Sequence, residues 1–151
     1  MKFTVTSFLT AALCVAGAVA EGEFLNTCDV KSVKVVGKTL TAKCRNILNL
    51  EKCNKLDLNK CLKNLFGTLA VDPIGAGPSF TDRNQCVNCS NEKPAGVANW
   101  SNSILRCKCN PGTGVPEAQW PTSHFDLDTL VSNNNGILEC YTTKAVESTG
   151  C

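Results

Sequence analysis

Hydrogen-bonding side chains gather on the predicted turns of this 151-residue chain. They offer amide, hydroxyl and guanidinium groups, and they are Asn26, Thr27, Arg45, Asn46, Asn133, Asn134 and Asn135. Such groups match the hydroxyls of a sugar, because each hydroxyl both donates and accepts hydrogen bonds. Surface loops are polar in most proteins, so composition alone leaves a binding role and a merely solvated role open.

Residues that would carry catalysis or hold a metal are scarce. His124 is the only histidine, and beside Phe125 in a predicted strand it fits a structural or surface histidine better than a general base. The segment from Asp126 begins like a calcium loop, but Leu130 and Val131 stand where an EF-hand needs an oxygen ligand and a glycine. We therefore predict no enzyme, no metal site and no cofactor; a hydrolase built around His124 is the least favoured alternative.

One sequence pattern occurs twice and sets the register of the chain. Its first copy, Asp57-Leu-Asn59, Asn64 and Gly67-Thr-Leu69, returns 69 positions later as Asp126-Leu-Asp128, Asn133 and Gly136-Ile-Leu138. A duplicated unit of short strands and turns predicts an all-β protein of two pseudo-symmetric tandem repeats. The first repeat covers about residues 24–71 and the second about 80–141, and the prolines and glycines of residues 72–78 predict a hinge between them.

Local patterns place the polar residues between short strands. Alternating apolar residues over 33–40 predict a hairpin. Residues 64–67 and 133–136 predict tight turns in which glycine adopts positive φ. Asp57 and Asp126 each fit the cap of a short helical turn better than a catalytic role, because a carboxylate there accepts hydrogen bonds from free backbone amides.

Residues 1–20 have the form of a secretory signal peptide, with Lys2 before an apolar stretch and a small-x-small cleavage site at Ala18-Val-Ala20. We expect secretion of a mature chain, residues 21–151, in which no apolar run is long enough to span a membrane. Without Lys2 the chain keeps 14 basic and 13 acidic residues. It lacks the basic stripe that is typical of nucleic-acid-binding proteins, so we predict that it does not bind nucleic acid.

Ten cysteines remain in the mature chain, an even number that predicts up to five disulfides in an exported protein. Cys44 and Cys109 occupy equivalent places in the two repeats. We therefore expect two equivalent bridges, Cys28–Cys44 and Cys86–Cys109, and a third, Cys89–Cys107, that lies inside the second of them. The remaining cysteines give the local pairs Cys53–Cys61 and Cys140–Cys151. A zinc site of four thiolates from the second repeat is the rival interpretation, and an oxidising compartment disfavours it.

These motifs, in one order and twice in tandem, resemble those of the cyanovirin-N homology (CVNH) lectins. The first copy has Phe24, Cys28, Leu40, Cys44, Asp57-Leu-Asn59, Asn64 and Gly67-Thr-Leu69; the second has Phe80, Cys86, Leu105, Cys109, Asp126-Leu-Asp128, Asn133 and Gly136-Ile-Leu138. The match covers nearly the whole mature chain and resembles the secreted, cysteine-rich fungal type. It implies one domain over 21–151, in which each half combines a three-stranded sheet from one repeat with a hairpin exchanged from the other.

The resemblance also implies two carbohydrate sites, each formed where the start and post-cysteine segment of one repeat meet the turn of the other. The first site comprises Glu23, Asn26, Thr27, Arg45, Asn46, Asn133 and Asn135. The second, weaker site comprises Asn64, Ser79, Asn84, Gln85, Asn110 and Gly112. Phe66 replaces a polar residue of the family and Pro111 stiffens the nearby loop, so we expect the first site to be the working one. An aromatic ring at the mouth of the second site is nevertheless suited to stacking on a sugar.

The sequence thus predicts a secreted, non-enzymatic lectin for mannose-type oligosaccharides or the glycans of glycoproteins. We expect a monomer or a domain-swapped dimer. The alternative is a secreted protein-interaction factor on the same scaffold, with decayed sugar sites. In that case the inserted loop around Trp100, residues 91–102, contacts a partner protein.

Overall fold

Side chains alternate between buried and more exposed positions along β-strands such as Thr39–Arg45 and Ile104–Cys109. In the strand from Thr39 to Arg45, Leu40, Ala42 and Cys44 are buried while their neighbours are not. The period of two places one face of a strand against a core. The computed structural model describes residues 22–75 and 77–151, so the predicted signal peptide, residues 1–20, lies outside the described residues.

The described residues form twelve strands and five short 3₁₀ turns, with no α-helix among them. The first repeat contains β1 (Lys34–Val36), β2 (Thr39–Arg45), β3 (Glu51–Asp57), β4 (Leu62–Leu65) and β5 (Thr68–Val71). The second contains β6 (Cys86–Ser90), β7 (Ile104–Cys109), β8 (Thr122–Asp126), β9 (Ser132–Asn134) and β10 (Ile137–Cys140), followed by β11 (Thr143–Lys144) and β12 (Val146–Ser148). The 3₁₀ turns are Phe24–Asn26, Val30–Ser32, Leu58–Lys60, Glu117–Gln119 and Leu127–Thr129.

The hairpin, the tight turns and the caps follow the sequence predictions. A hairpin joins β1 to β2, and tight turns join β4 to β5 and β9 to β10. The Asp57 carboxylate accepts a hydrogen bond from the Asn59 amide at 3.1 Å, and Asp126 accepts one from the Asp128 amide at 3.0 Å. The capping interpretation of both aspartates is therefore confirmed.

Seven strands join into one sheet, in the order β12-β3-β2-β1-β6-β7-β8. The three-stranded sheets of the two repeats meet edge to edge, where Val36 in β1 pairs with Ser90 in β6. This junction is a single residue pair, and β6 has an irregularity between Val87 and Ser90 in its pairing with β7. Two smaller units complete the fold: the hairpin β4-β5 and the sheet β11-β10-β9.

The hairpins contact strands of the opposite repeat. Hairpin β4-β5 reaches β7 and β8, and β10 reaches β3. The Leu69 amide donates to the Ser123 hydroxyl at 2.8 Å, and the Leu138 amide donates to the Asn54 side-chain oxygen at 3.3 Å. Asn54 and Ser123 lie 69 positions apart, as do Leu69 and Leu138. Each hairpin is thus held by a buried polar side chain of the other repeat, a pairing that we did not predict.

Five disulfides are present in the described residues. Three of them are the expected bridges Cys28–Cys44, Cys86–Cys109 and Cys89–Cys107. The local pairs Cys53–Cys61 and Cys140–Cys151 were wrong: the structure has Cys53–Cys151 and Cys61–Cys140 instead.

The physical reason for this different pairing is the course of the chain after β10. Strand β12 pairs with β3, with Ser148 opposite Cys53, and so carries Cys151 to Cys53. Cys61 is fully buried in the core, as is Cys140 at the end of β10, and their Cα atoms are 6.1 Å apart. The predicted pairs were wrong because they joined cysteines close in sequence, whereas these two bridges join residues that are 79 and 98 positions apart.

The segment predicted as a hinge, residues 72–78, begins at the buried carboxylate of Asp72. Asp72 accepts a hydrogen bond from the Gly77 amide at 3.0 Å and lies 3.8 Å from the Lys63 ammonium group. Burial raises the pKa of Tyr141, and the charge of Asp72 raises this pKa further, so the phenol stays neutral at physiological pH.

Within residues 22–75 and 77–151, no helix has the length and apolarity needed to cross a membrane.

Candidate functional site

The turn of the second repeat touches the start and the post-cysteine segment of the first repeat through Asn133. Its side-chain NH₂ group donates to the Thr27 hydroxyl at 2.9 Å and to the Arg45 carbonyl at 2.8 Å. Its side-chain oxygen accepts from the Gly136 amide at 2.8 Å. The amide of Asn133 is therefore used within the protein, where it positions the first predicted site.

Asn64 forms the same arrangement in the other repeat. Its NH₂ group donates to the Asn110 carbonyl at 2.8 Å and to the Gln85 side-chain oxygen at 3.2 Å, while its oxygen accepts from the Gly67 amide at 2.9 Å. Arg45 follows Cys44 and Asn110 follows Cys109, and these two cysteines close equivalent disulfides, so the two arrangements are equivalent. Asn64 and Asn133 are thus better described as positioning residues than as direct contacts to a ligand.

The remaining residues of the first site form an open polar surface. Glu23 accepts a hydrogen bond from the Asn26 side chain at 3.0 Å. Asn135 accepts from the Ile47 amide at 3.0 Å, and Asn46 holds its own turn by accepting from the Leu48 and Leu50 amides. The site therefore comes together from both repeats. Beside it the turn exposes three large apolar side chains, Ile47, Leu48 and Leu50.

The second predicted site is a cavity of about 250 Å³. Its walls are Asn64, Leu65, Phe66, Asn84, Gln85, Asn110, Gly112 and Thr113. It adjoins a wider groove of about 610 Å³, which adds Arg83, Gly114, Val115, Glu117 and Trp120 to the shared wall. Five of the six residues predicted for this site therefore line one concave surface.

Ser79 is the exception among the residues predicted for the second site. It is not among the walls of the cavity; it pairs with Lys63, and its amide donates to the Asp82 carboxylate at 3.0 Å. Thr113 and the groove residues Glu117 and Trp120 were not predicted. They lie on or beyond the irregular stretch after Asn110, and the repeat offset gave no signal for them.

Two side chains of the cavity are well placed for a ligand. Within the described parts of the chain, neither the amide group of the Asn84 side chain nor the Thr113 hydroxyl has a protein hydrogen-bond partner, although the Asn84 backbone carbonyl accepts from Asn110 at 2.9 Å. Exposed amides and hydroxyls of this kind bind uncharged, hydroxyl-rich molecules. The cavity wall carries no ionisable side chain, so its chemistry is hydrogen bonding and apolar contact.

Gly136 makes the close approach between the turn of the second repeat and the first repeat possible. Its φ is +90°, and a Cβ there would stand 3.1 Å from the Asn46 Cβ and 3.2 Å from the Lys52 Cδ. We expect Gly136→Ala to lower the free energy of unfolding by about 2 kcal/mol. Gly37, with φ of +58° and no atom within 4 Å of a built Cβ, provides the control: Gly37→Ala costs about 1 kcal/mol. Urea denaturation measures both; equal losses would contradict the close approach.

Trp100 is folded back rather than projecting. Its indole NH donates to the Asn91 carbonyl at 3.0 Å, and its ring meets the His124 ring edge-on at 5.6 Å between centroids. Strand β8 presents His124 on its exposed face. His124 is thus a surface histidine packed against Trp100, in keeping with its predicted structural role.

These elements form an all-β fold of two pseudo-symmetric repeats that are linked by disulfides. Several solved structures share this fold, including the following three. GzCVNH of Gibberella zeae is 20% identical, with a TM-score of 0.60 over 80% of this chain and 99% of that chain. A MoCVNH3 variant in complex with (N-GlcNAc)4 is 19% identical, with a TM-score of 0.58 over 82% and 99%. A microvirin:mannobiose complex is 23% identical, with a TM-score of 0.50 over 79% and 98%.

The family follows from the sequence itself. A family model described as the CVNH domain matches residues 24–139, and the chain belongs to this family of lectins. Among curated protein sequences no match was found. The match ends before β11 and β12, so the C-terminal strand that brings Cys151 to Cys53 lies outside the matched residues.

Proposed function

We propose that this protein is a secreted lectin that binds oligosaccharides at the junctions between its two repeats, with mannose-type chains as the first ligand class. The observation that carries the proposal is the cavity of about 250 Å³, on whose wall the Asn84 side-chain amide and the Thr113 hydroxyl have no hydrogen-bond partner among residues 22–75 and 77–151. Family relatives solved with mannobiose and with (N-GlcNAc)4 support a carbohydrate ligand. Five disulfides and a predicted signal peptide support secretion, and the similar solved structures support the fungal type.

In each site one asparagine is hydrogen-bonded within the protein, while neighbouring polar groups are available to a ligand. Asn64 and Asn133 fix each turn against the opposite repeat, so the surrounding amides and hydroxyls are held before a ligand arrives. Each hydrogen bond to a sugar hydroxyl contributes only about 0.5–1.5 kcal/mol net. A single site therefore binds weakly, and two sites on one chain raise the apparent affinity for a branched glycan through effective concentration.

We infer that the second site binds sugar in addition to the first. The departures of Phe66 and Pro111 from the family pattern favoured the first site, but a cavity of about 250 Å³ lies at the second. At the first site, Asn135 and Asn46 use their side-chain oxygens to hold the turn at Ile47 to Leu50, which leaves their NH₂ groups for a ligand. In the second site the side-chain oxygen of Gln85 accepts from the Asn64 side chain at 3.2 Å, which leaves the Gln85 NH₂ group for a ligand.

Calorimetric titration of the oxidised protein, residues 21–151, tests the proposal with mannobiose, mannotriose and (GlcNAc)4. We expect at least one of them to bind, and the double variant Asn84→Ala/Thr113→Ala to weaken binding at the cavity by about tenfold. Ser79→Ala is the control, because Ser79 is not part of the cavity wall. The absence of heat with every sugar on a broad glycan panel would refute the lectin function.

A protein-interaction role remains the second candidate, with a different surface from the one predicted. Trp100 is bonded to Asn91 and packed on His124, which makes it a poor anchor. Ile47, Leu48 and Leu50 are exposed together on one turn, and exposed apolar clusters mark interaction surfaces. Replacing Leu48 and Leu50 by serine separates the two functions: a lectin keeps sugar binding at the cavity, whereas a protein-interaction factor loses its partner.

A further inference from the structure

The two hairpin turns have the same backbone conformation but different residues at the first position. Phe66 and Gly67 have φ values of +49° and +89°, and Asn135 and Gly136 have +51° and +90°. Two successive positive φ values are typical of a type I′ turn, for which Asn-Gly is the preferred pair. The second repeat therefore has the ideal sequence, while the first repeat places a phenylalanine in the left-handed region, where a bulky residue is a rare outlier.

Phe66 gains nothing within the fold to offset this strain. Its side chain is 81% exposed, so it buries almost no apolar surface. Asn135, at the equivalent position, uses its side chain to accept a hydrogen bond from the Ile47 amide. A strained residue that contributes neither burial nor a hydrogen bond indicates a role outside the folded chain.

The position of Phe66 indicates which role this is. Together with Leu65 it lines the second-site cavity, whose other walls carry the Asn84 amide and the Thr113 hydroxyl. A pyranose has the complementary chemistry, with C–H bonds on the face of its ring and hydroxyls around its edge. Aromatic rings gain about 0.5–1.5 kcal/mol from well-placed stacking contacts beyond the burial of apolar area.

We propose that Phe66 is the stacking platform of the second site, and that this site selects oligosaccharides in which one pyranose presents an open C–H face. This inference rests on the proposed lectin function. The ring of Phe66 covers that face, while Asn84 and Thr113 bind the hydroxyls at the edge. The first site, with Asn135 in place of the aromatic ring, binds by hydrogen bonds alone. The two sites therefore differ in specificity despite their shared backbone.

The substitution Phe66→Asn tests the proposal, because it copies the turn of the second repeat. We expect the midpoint of thermal unfolding to rise by about 3 °C as the turn loses its strain. Affinity at the cavity for mannobiose or (GlcNAc)4 falls about tenfold, since the stacking contact is gone. Phe66→Trp keeps the aromatic face and keeps the affinity. Val36→Thr, on an exposed strand residue in β1, controls for the loss of surface apolarity and changes neither property.

Proton NMR of the bound sugar gives a readout that a structural role would not change. Ring currents of Phe66 shift the stacked C–H protons of the sugar upfield in the wild type, and this shift disappears in Phe66→Asn. If Phe66→Asn binds sugar with wild-type affinity and the same shifts, the stacking role is refuted while the lectin function stands. If the wild type binds no sugar at all, both proposals fail.

Discussion

Replacing Cys61 and Cys140 together by alanine is expected to lower the free energy of unfolding by about 4 kcal/mol. The bridge joins residues 79 apart, and its removal releases a long loop in the unfolded chain. Both cysteines are fully buried, so the variant also loses packing in the core. Guanidinium denaturation under non-reducing conditions measures the change.

Cys53→Ala/Cys151→Ala is the matched control for this prediction. Its bridge spans 98 residues, so chain entropy alone would give a loss as large as that of the buried bridge. Cys151 is an exposed terminal residue, and we expect the control to lose less because little packing is disturbed. A loss below about 1 kcal/mol for the buried pair would contradict its role in linking the repeats.

Asn54→Ala is expected to destabilise the fold by about 3 kcal/mol. The Asn54 side chain is completely buried; it donates to the Gly136 carbonyl at 2.9 Å and accepts from the Leu138 amide at 3.3 Å. The substitution leaves both backbone groups of the second-repeat hairpin without a partner. Burying unpaired polar groups costs more than the lost hydrogen bonds are worth.

Ser123→Ala is the internal control for Asn54, since Ser123 occupies the equivalent place in the second repeat. It removes one contact, to the Leu69 amide, and we expect a loss of about 1.5 kcal/mol. Native-state hydrogen exchange provides the local readout: Leu138 loses protection in Asn54→Ala, and Leu69 loses it in Ser123→Ala. Equal, small losses in both variants would show that the hairpins are held by apolar packing alone.

The elements that the sequence predicted are those determined by local chemistry or by the repeat offset. Asp57 caps its own 3₁₀ turn through an amide two residues away, so a short segment contains all the information. Gly67 and Gly136 mark turns because a positive φ favours glycine wherever it occurs. The pairs Cys28–Cys44 and Cys86–Cys109 followed because one repeat served as a template for the other.

The features that sequence reasoning missed depend on the second repeat lying against the first. Cys61 pairs with Cys140 because the hairpin of one repeat reaches the core of the other, which no local pattern records. In the sequence Asn54 is an ordinary polar residue of a strand, and only the structure shows that its side chain accepts a hydrogen bond from the Leu138 amide. The offset that maps Asn54 onto Ser123 was the available signal, since both are polar and both precede a strand end.

The composition of the candidate site was predictable, but the use of its residues was not. Asn64 and Asn133 were expected at the sugar sites because the resemblance to the CVNH lectins places a turn residue there. Hydrogen bonds across the repeats show that their amides are already engaged. The groove beyond Gly112 was not predicted because the first repeat has no counterpart from which to infer it.

Backbone NMR of the oxidised protein during titration with mannobiose and with (GlcNAc)4 tests the central claim, that a sugar binds at a junction built from both repeats. We predict that amides of residues 64–67 in the first repeat and of residues 84, 85, 110, 112 and 113 in the second shift together, with one common dissociation constant. Shifts confined to one repeat, or no shifts with either sugar, would contradict the account.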